Sequence, residues 1–250
     1  MLRKSLVSSF LALGLTFAPA IATAGEGAEC KQDKLSLQAV VDKHLAALGG
    51  KERLKAVKSV QTTAVATEGN TVTTINMVRA RPNLVRYDMD KNGSKVTKVF
   101  DGKQGWLAEG SAAPQRLDKE KNTMMAEGAA FDDALLDPKA QGVAVKLDGV
   151  EEVNGAPAFK LVLTRGANTE VRFIDQQSFL EVRRQYSGIH EGKAFNKTVT
   201  YSDYRSVDGI MVNHRVQWEA DGKRGEKVIQ SARYDAPVDA SVFKPAAPRS

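Results

Sequence analysis

From residue 59 to residue 234 the chain is a series of short segments rich in Val and Thr, separated by turn signals. The pairs Asn92-Gly93, Asn154-Gly155 and Asp208-Gly209 are typical of hairpin turns, because these residue types tolerate a positive φ. Helical segments do not alternate with the strands, so parallel βαβ units are not expected. The pattern predicts a mainly β (α+β) fold with about eleven strands in an antiparallel, meandering sheet.

Helical periodicity occurs in three places. Apolar residues recur at helical spacing over residues 35–48, and Gly49-Gly50 ends this helix. A second short helix is predicted over Lys51–Val57. A third is predicted over Thr123–Leu136, with Asp137-Pro138 stopping it. So few helices can cover only part of a large sheet.

The strands alternate apolar and polar residues, which predicts one buried and one solvated face. The alternation in Ile210–Trp218, Phe159–Leu163 and Val171–Phe173 is the clearest. A single apolar face with few helices over it could enclose a hollow for an apolar ligand, or it could be an ordinary packed half-barrel. The pattern alone does not separate these two. The candidate residues of a ligand cavity are Ile75, Met77, Val85, Tyr87, Phe159, Leu161, Val171, Phe173, Val212 and Val216.

The third predicted helix carries Met124 and Met125, followed by Phe131. Methionine adapts its shape to irregular apolar partners, so these three residues are candidates for a movable lid over the sheet. Packing in the core is the alternative role for them.

Residues 1–24 have the pattern of a cleaved secretory signal peptide. Arg3 and Lys4 form a basic head, an apolar run extends from Leu6 to Phe17, and Ala22-Thr23-Ala24 offers a cleavage site. The apolar run is too short to span a membrane. The chain is therefore expected in the periplasm, where it could also lie against a membrane surface.

The rest of the chain is predicted to hold one domain, over residues 34–241. A flexible leader over residues 25–33 precedes it, and an extended tail over residues 242–250 follows. Cys30 is the only cysteine, so no intramolecular disulfide can form. Glu29 directly before it argues against a lipid anchor at this cysteine.

The net charge is small, and the charged residues are spread along the chain. Arg3 and Lys4 account for two of the six net positive charges, so the chain without its signal peptide carries +4. There is no basic stripe of the kind that binds nucleic acid. The expected partners are a lipid or an acylated lipoprotein, with an envelope membrane protein as a further candidate, and we expect a monomer.

The search for catalytic groups finds no motif. His44, His190 and His214 do not have metal-ligand spacing, and no nucleophile or phosphate-loop motif is present. Carboxylate pairs such as Glu151-Glu152 and Asp132-Asp133 fall at turns and helix ends, where capping or solvated roles are expected. We therefore predict a protein that is not an enzyme, with no catalytic residue, cofactor or metal.

Four segments together resemble the outer-membrane lipoprotein-sorting proteins of bacteria, which share the fold of the periplasmic lipoprotein carrier and its outer-membrane receptor. They are residues His44–Leu54, Phe100–Trp106, Tyr201–Ile210 and Val242–Pro245. The resemblance implies an unclosed antiparallel β-barrel with helices covering the open side, and a hydrophobic cavity that takes acyl chains. One departure is Asn213, where these proteins often carry proline. The arginine latch of the carrier is not assigned to a position in this chain.

Three hypotheses about function follow. The first is a periplasmic carrier or binding protein that holds the acyl chains of lipids or lipoproteins in a hydrophobic cavity. The second is an envelope sensor or scaffold that uses the same fold to bind a protein. The third is a lipid-acting hydrolase, for which His214 would be the first residue to test.

Overall fold

The structure, a computed structural model, describes residues 35–190 and 193–245. The predictions for residues 1–24 and 25–33, and for Cys30, lie outside this part of the chain. Within the described ranges no helix has the length and apolar character needed to cross a membrane.

Within residues 35–190 and 193–245, thirteen strands form a single unclosed antiparallel sheet. They follow the order β6-β5-β4-β3-β2-β1-β13-β12-β11-β10-β9-β8-β7, so β1 meets β13 in the middle and β6 and β7 are the edges. The strands are β1 Ser59–Glu68, β2 Thr71–Ala80, β3 Leu84–Lys91, β4 Ser94–Phe100, β5 Gly105–Glu109, β6 Gln115–Arg116, β7 Ala144–Val153, β8 Ala156–Arg165, β9 Asn168–Asp175, β10 Glu181–His190, β11 Lys193–Val207, β12 Ile210–Ala220 and β13 Lys223–Tyr234.

The mainly β, unclosed architecture predicted from the sequence is confirmed. Asn92, Asn154 and Asp208 each have a φ near +50° in the hairpin turns that their sequence pairs indicated. The observed strand count of thirteen exceeds the predicted eleven, and one addition is the two-residue β6, which is too short to have a sequence signal.

Three helices flank the sheet, namely α1 Leu37–Ala47, α2 Lys51–Ala56 and α3 Lys119–Ala129. The Ser36 hydroxyl caps α1 by accepting the N–H of Ala39, and the Asp118 carboxylate caps α3 by accepting the N–H of Lys121. The prediction of a helix over Thr123–Leu136 is wrong at both ends. The Asp118 cap starts α3 earlier, and the chain leaves the helix after Ala129.

The main core lies between α1 and one face of β8 and β9, which we call the inner face of the sheet. Val40, Val41 and Leu45 of α1 pack against Phe159, Leu161, Leu163 and Ile174, together with Leu135 and Leu136. Burial of these side chains stabilises the packing of α1 against the sheet, because each Å² of apolar surface removed from water contributes about 25 cal/mol.

A smaller core covers part of the opposite, outer face. Val153, Ala158 and Phe173 are buried together there, and the Arg183 guanidinium lies 5.6 Å from the centre of the Phe173 ring.

The first residues of the predicted extended tail are not extended. A 3-10 turn over Ala240–Phe243 buries Phe243, which is 3% exposed.

Gly49 joins α1 to the strand β12. Its φ is +125°, and a Cβ at this position would lie 2.4 Å from the carbonyl oxygen of Gly209. The neighbouring Leu48 carbonyl accepts the N–H of Met211 at 3.0 Å. The end of the first helix therefore touches the backbone of the sheet, and glycine is required at the contact.

We predict that Gly49→Ala lowers the free energy of unfolding by about 2 kcal/mol or more, because the new methyl group meets backbone. Gly50→Ala is the matched control, since Gly50 also has a positive φ of +92° but open space around a Cβ. Urea unfolding of both variants measures the difference. Equal decreases in the free energy of unfolding would show that glycine is required at position 49 because of backbone strain and not because of the contact with Gly209.

Candidate functional site

The inner face of β2, β3 and β4 carries an apolar surface beneath α3. Val85 and Phe100 are buried there against Ala129, and the half-buried Met77 and Tyr87 pack on the same cluster. Met125 of α3 also contacts it. This surface is the candidate ligand site.

Several residues expected to line a cavity meet on this surface. Ile75 and Met77 pair with Met89 and Tyr87 in the β2–β3 ladder, which places them on the inner face beside Val85. Val216 of β12 joins the same face through its pairing with Lys227 of β13. The sequence-based list thus has one coherent group in the middle of the sheet.

Other members of that list lie elsewhere. Phe159 and Leu161 are on the inner face, but they pack in the main core against α1. Val171 and Phe173 are on the outer face, because Arg172 between them turns inward. Val212 is half-buried and pairs with the exposed Arg205.

The three candidate lid residues have different environments. Met125 faces the apolar cluster, whereas Met124 is 47% exposed on the surface of α3. Phe131 lies between two guanidinium groups, 5.7 Å from that of Arg79 and 4.9 Å from that of Arg81. Cation–π contacts of this kind contribute about 0.5–2 kcal/mol each.

The segment that covers the inner face, residues 119–142, is fixed at two adjacent carboxylates, and we call it the plug segment. Asp132 accepts two hydrogen bonds from Arg81, at 2.5 and 2.6 Å. The same guanidinium donates to the carbonyls of Val57 and Leu54, at 2.5 and 3.2 Å. Arg81 thereby joins the plug segment to the C-terminal end of α2.

Asp133 binds the other half of the sheet. It accepts two hydrogen bonds from Arg172 of β9, at 2.7 and 2.8 Å, and its carboxylate lies 4.0 Å from Arg184 of β10. Glu170 also binds Arg172, and Glu181 binds Arg184 at 2.5 Å. The buried Arg172, the partly buried Arg184 and three carboxylates thus form one network.

Burial alone would raise the pKa of Asp133, but the charges of Arg172 and Arg184 and the Leu135 N–H hold it far below its usual range. The Arg172 side chain is only 3% exposed, so its charge depends on these partners. The network therefore keeps the plug segment closed over the sheet while its members remain ionised.

These tethers were missed by sequence reasoning. Asp132 and Asp133 were expected in solvated or capping positions, and Arg172 was expected on the solvated face of its strand. Both expectations are wrong, since long-range pairing positions all three residues. The sequence contained only a weak signal for these ion pairs. Asp132 and Asp133 follow a helix with two methionines, and Arg172 lies between apolar residues of its strand.

The histidines have structural environments. His44 is 2% exposed, and its Nδ1 lies 2.7 Å from the Phe179 carbonyl. His214 is also buried, with Nδ1 3.0 Å from the carbonyl of Val212. The side chain of His190 lies outside the described structure. Among the described residues no group of three His, Cys, Asp or Glu side chains could hold a metal ion.

Hollows of different sizes adjoin the inner face. One of about 180 Å³ lies beneath α1 and α2, beside Phe131 and Ile210. A second of about 240 Å³ lies between the plug segment and the β8–β11 strands, beside Tyr186. A third of about 400 Å³ is lined by β1–β5 and Trp218. The third falls in the size range of about 300–1,000 Å³ that is usual for small-molecule sites.

We predict that Asp133→Asn lowers the free energy of unfolding by about 2 kcal/mol or more, because the buried Arg172 guanidinium loses a charged partner. Asp203→Asn is the control, since Asp203 forms an exposed ion pair with Arg205 at 2.6 Å, and solvent screening makes such pairs contribute little to stability. Urea denaturation followed by circular dichroism compares the two. A loss no larger for Asp133→Asn would contradict a structural role for the network.

Stability should also depend on pH through His44. Burial is the largest influence on His44 and lowers its pKa, and the positive charge of Arg172 lowers it further. The Phe179 carbonyl and the carboxylates of Glu181 and Asp133 raise the pKa, but they offset only part of this decrease. The unfolded chain then takes up a proton more readily than the folded one. The contribution of the neutral His44 to the free energy of unfolding is complete above the usual histidine pKa of about 6.5, and it is lost as the pH falls below that value.

We expect the free energy of unfolding to decrease between about pH 7.5 and pH 5.5, and His44→Gln to flatten this dependence. Unfolding curves of both proteins at several pH values make the comparison. An unchanged slope in His44→Gln would assign the dependence to other groups.

No protein-family model matches this chain. A search of the curated proteins also gave no match. Solved structures do match.

A DUF1329 family protein from Desulfovibrio piger superposes with a TM-score of 0.58 at 14% identity, covering 83% of this chain and 96% of the other. A LolA superfamily protein from Nitrosomonas europaea gives a TM-score of 0.58 at 13% identity, with 84% and 98% covered. An outer membrane lipoprotein-sorting protein domain from Vibrio parahaemolyticus gives 0.55 at 12% identity, with 82% and 94% covered.

At these identities the likeness shows a shared fold. The chain has the fold of the LolA superfamily and of the lipoprotein-sorting domain, as its sequence segments indicated.

Proposed function

We propose that this protein is a periplasmic carrier or binding protein that holds the acyl chains of lipids or lipoproteins against the inner face of its sheet. The observation that supports this most directly is the apolar surface around Met77, Val85 and Tyr87, which lies under a plug segment held by ion pairs. The fold shared with a lipoprotein-sorting domain agrees with it.

The nature of the tethers suits a carrier. Leu135 and Leu136 of the plug segment are buried with α1 in the main core, and the ion pairs of Asp132 and Asp133 hold the turn before them. The helix α3 precedes these anchors in the plug segment, and Met124 on it is 47% exposed. Displacement of α3 alone uncovers the apolar surface while the main core and the ion pairs stay in place, which gives an acyl chain a route to the sheet.

The energetics are adequate for a transient ligand. Each buried CH₂ contributes about 0.8 kcal/mol, so part of one acyl chain can reach micromolar affinity after the cost of association. Catalysis is not part of the proposal. The buried His214 bonds to its own strand, and the carboxylates beside the plug segment are paired with arginines.

The first test is native mass spectrometry of the protein purified from its own periplasm, with organic extraction of bound material. A co-purifying lipid or acylated peptide would support the carrier and identify its cargo. A protein that is empty, ignores added lipid and carries a stoichiometric protein partner would overturn it in favour of the sensor or scaffold hypothesis.

We predict that Met77→Gln weakens binding of a fluorescent acyl probe roughly tenfold, because a polar amide replaces an apolar side chain on the inner face. Val72→Gln is the control, since Val72 lies on the outer side of the same strand and is 46% exposed. Probe titration by fluorescence measures both. Equal affinities for the two variants would place the ligand elsewhere.

A further inference from the structure

The hollow of about 400 Å³ on the inner face has a wall that carries charges of both signs. Two lysines and two glutamates contribute to this wall, namely Lys98, Lys91, Glu109 and Glu68. Apolar side chains form another part of the same wall, among them Met89, Val96 and Leu107. One cavity therefore offers cations, anions and apolar surface together.

These charges are not neutralised by one another. Within residues 35–190 and 193–245, no ion pair or side-chain hydrogen bond involves Lys98, Lys91 or Glu109. The Glu68 carboxylate accepts a single hydrogen bond, from Nε1 of Trp218 at 3.2 Å. Neighbouring strands are about 4.8 Å apart, so about 10 Å separates the backbone of Lys91 on β3 from that of Glu109 on β5. Both signs of charge thus remain available to a ligand in the hollow.

The charges follow a definite order away from the apolar surface beneath α3. Lys98 of β4 pairs with Tyr87, which belongs to that surface, and with Leu107 of β5. Glu109 is two residues further along β5, so it lies on the same face and nearer the end of the strand. Lys91 lies beyond them, beside the β3–β4 turn. A group that leaves the apolar surface along β5 therefore meets a cation first and an anion next.

The hollow is continuous with the apolar surface. Met89 lines the hollow and pairs with Ile75, which lies on the inner face next to Met77 along β2. From Met77 to Thr71, which also lines the hollow, β2 extends about 20 Å at about 3.4 Å per residue, comparable to an extended palmitoyl chain. An acyl chain can therefore lie along this face with its head group in the hollow.

A zwitterionic phospholipid has its groups in the order that the wall requires. Its phosphate ester follows the glycerol that carries the acyl chain, and its ammonium group ends the head group. The phosphate meets Lys98 and the ammonium meets Glu109, so each can form a charge-assisted hydrogen bond, which is stronger than a bond between neutral groups. A head group with a negative charge alone leaves Glu109 without an opposite charge.

We propose that this hollow binds the head group of a zwitterionic phospholipid with a primary ammonium, its phosphate at Lys98 and its ammonium at Glu109. This rests on the proposed function and adds to it the chemical class and the orientation of the ligand. Nζ of Lys98 donates to a phosphate oxygen, and the lipid ammonium donates to the Glu109 carboxylate. The acyl chain extends from the hollow towards Met77 and α3.

Calorimetric titration with three lipids, each with one palmitoyl chain and each below its micellar concentration, tests the proposal. Palmitoyl lysophosphatidylethanolamine is zwitterionic, palmitoyl lysophosphatidylglycerol is anionic, and monopalmitoylglycerol is neutral. The wild-type protein should bind the zwitterionic lipid most tightly. Glu109→Gln should weaken this lipid about tenfold, the loss of one charge-assisted hydrogen bond, and should not weaken the other two.

Lys98 is tested with the same three lipids. Lys98→Gln should weaken both phospholipids about tenfold and leave monopalmitoylglycerol within about twofold, because only the phospholipids carry a phosphate. Lys98→Arg should retain the binding of both phospholipids, which separates the charge of the side chain from its shape.

Two exposed residues provide matched controls. Lys95→Gln removes a positive charge from the opposite face of β4, and Glu152→Gln removes a negative charge from the edge strand β7. Neither should change the affinity for any of the three lipids. Because Lys98 and Glu109 are also exposed, the urea midpoints of their variants should equal that of the wild type, which excludes misfolding as a cause of weaker binding.

The contrary outcomes are distinct. Binding of the zwitterionic lipid that is unchanged in both Lys98→Gln and Glu109→Gln, or equal losses for all three lipids, would overturn the head-group site and leave the carrier in place. Losses in Lys98→Gln but none in Glu109→Gln would overturn the zwitterionic class. Phosphoethanolamine that binds as tightly as the lysophospholipid would identify a site for the free head group and overturn the amphiphile. Failure of the wild type to bind any of the three lipids would overturn the carrier itself, and this site with it.

Discussion

The closed form of this protein depends on two adjacent carboxylates that point to different halves of one sheet. Asp132 binds Arg81, just beyond β2, and Asp133 binds Arg172 on β9. The open sheet cannot close on itself through backbone hydrogen bonds, because β6 and β7 remain edges. In a closed barrel, backbone hydrogen bonds between the first and last strands connect the two halves of the sheet. Here the plug segment connects the two halves instead, through side chains on the inner face.

The same arrangement divides the inner face into regions with different roles. Beneath α1 the face is filled by Leu45, Phe159 and Leu161 and serves as core. Beneath α3 the buried residues Val85 and Phe100 form a smaller cluster, and Met77 and Tyr87 beside it are only half-buried. A binding site can exist in the second region because the first supplies the packing that stabilises the fold.

Electrostatics separates these regions further. Around Asp133 the arginines are matched by carboxylates, and matched charges of this kind hold structure. The surface beneath α3 is formed by apolar side chains instead, among them Met77, Val85 and Tyr87.

The sequence by itself determined the antiparallel sheet, its hairpins and the stop of the first helix, because turn residues and alternation act locally at positions such as Asn92, Asn154 and Gly49. It placed Met77, Val85, Tyr87 and Val216 on one face for the same reason. Only the tertiary structure decided which way Arg172 turns and where α3 ends. Those outcomes depend on partners many strands away in the chain, and the period of a single strand carries no information about them.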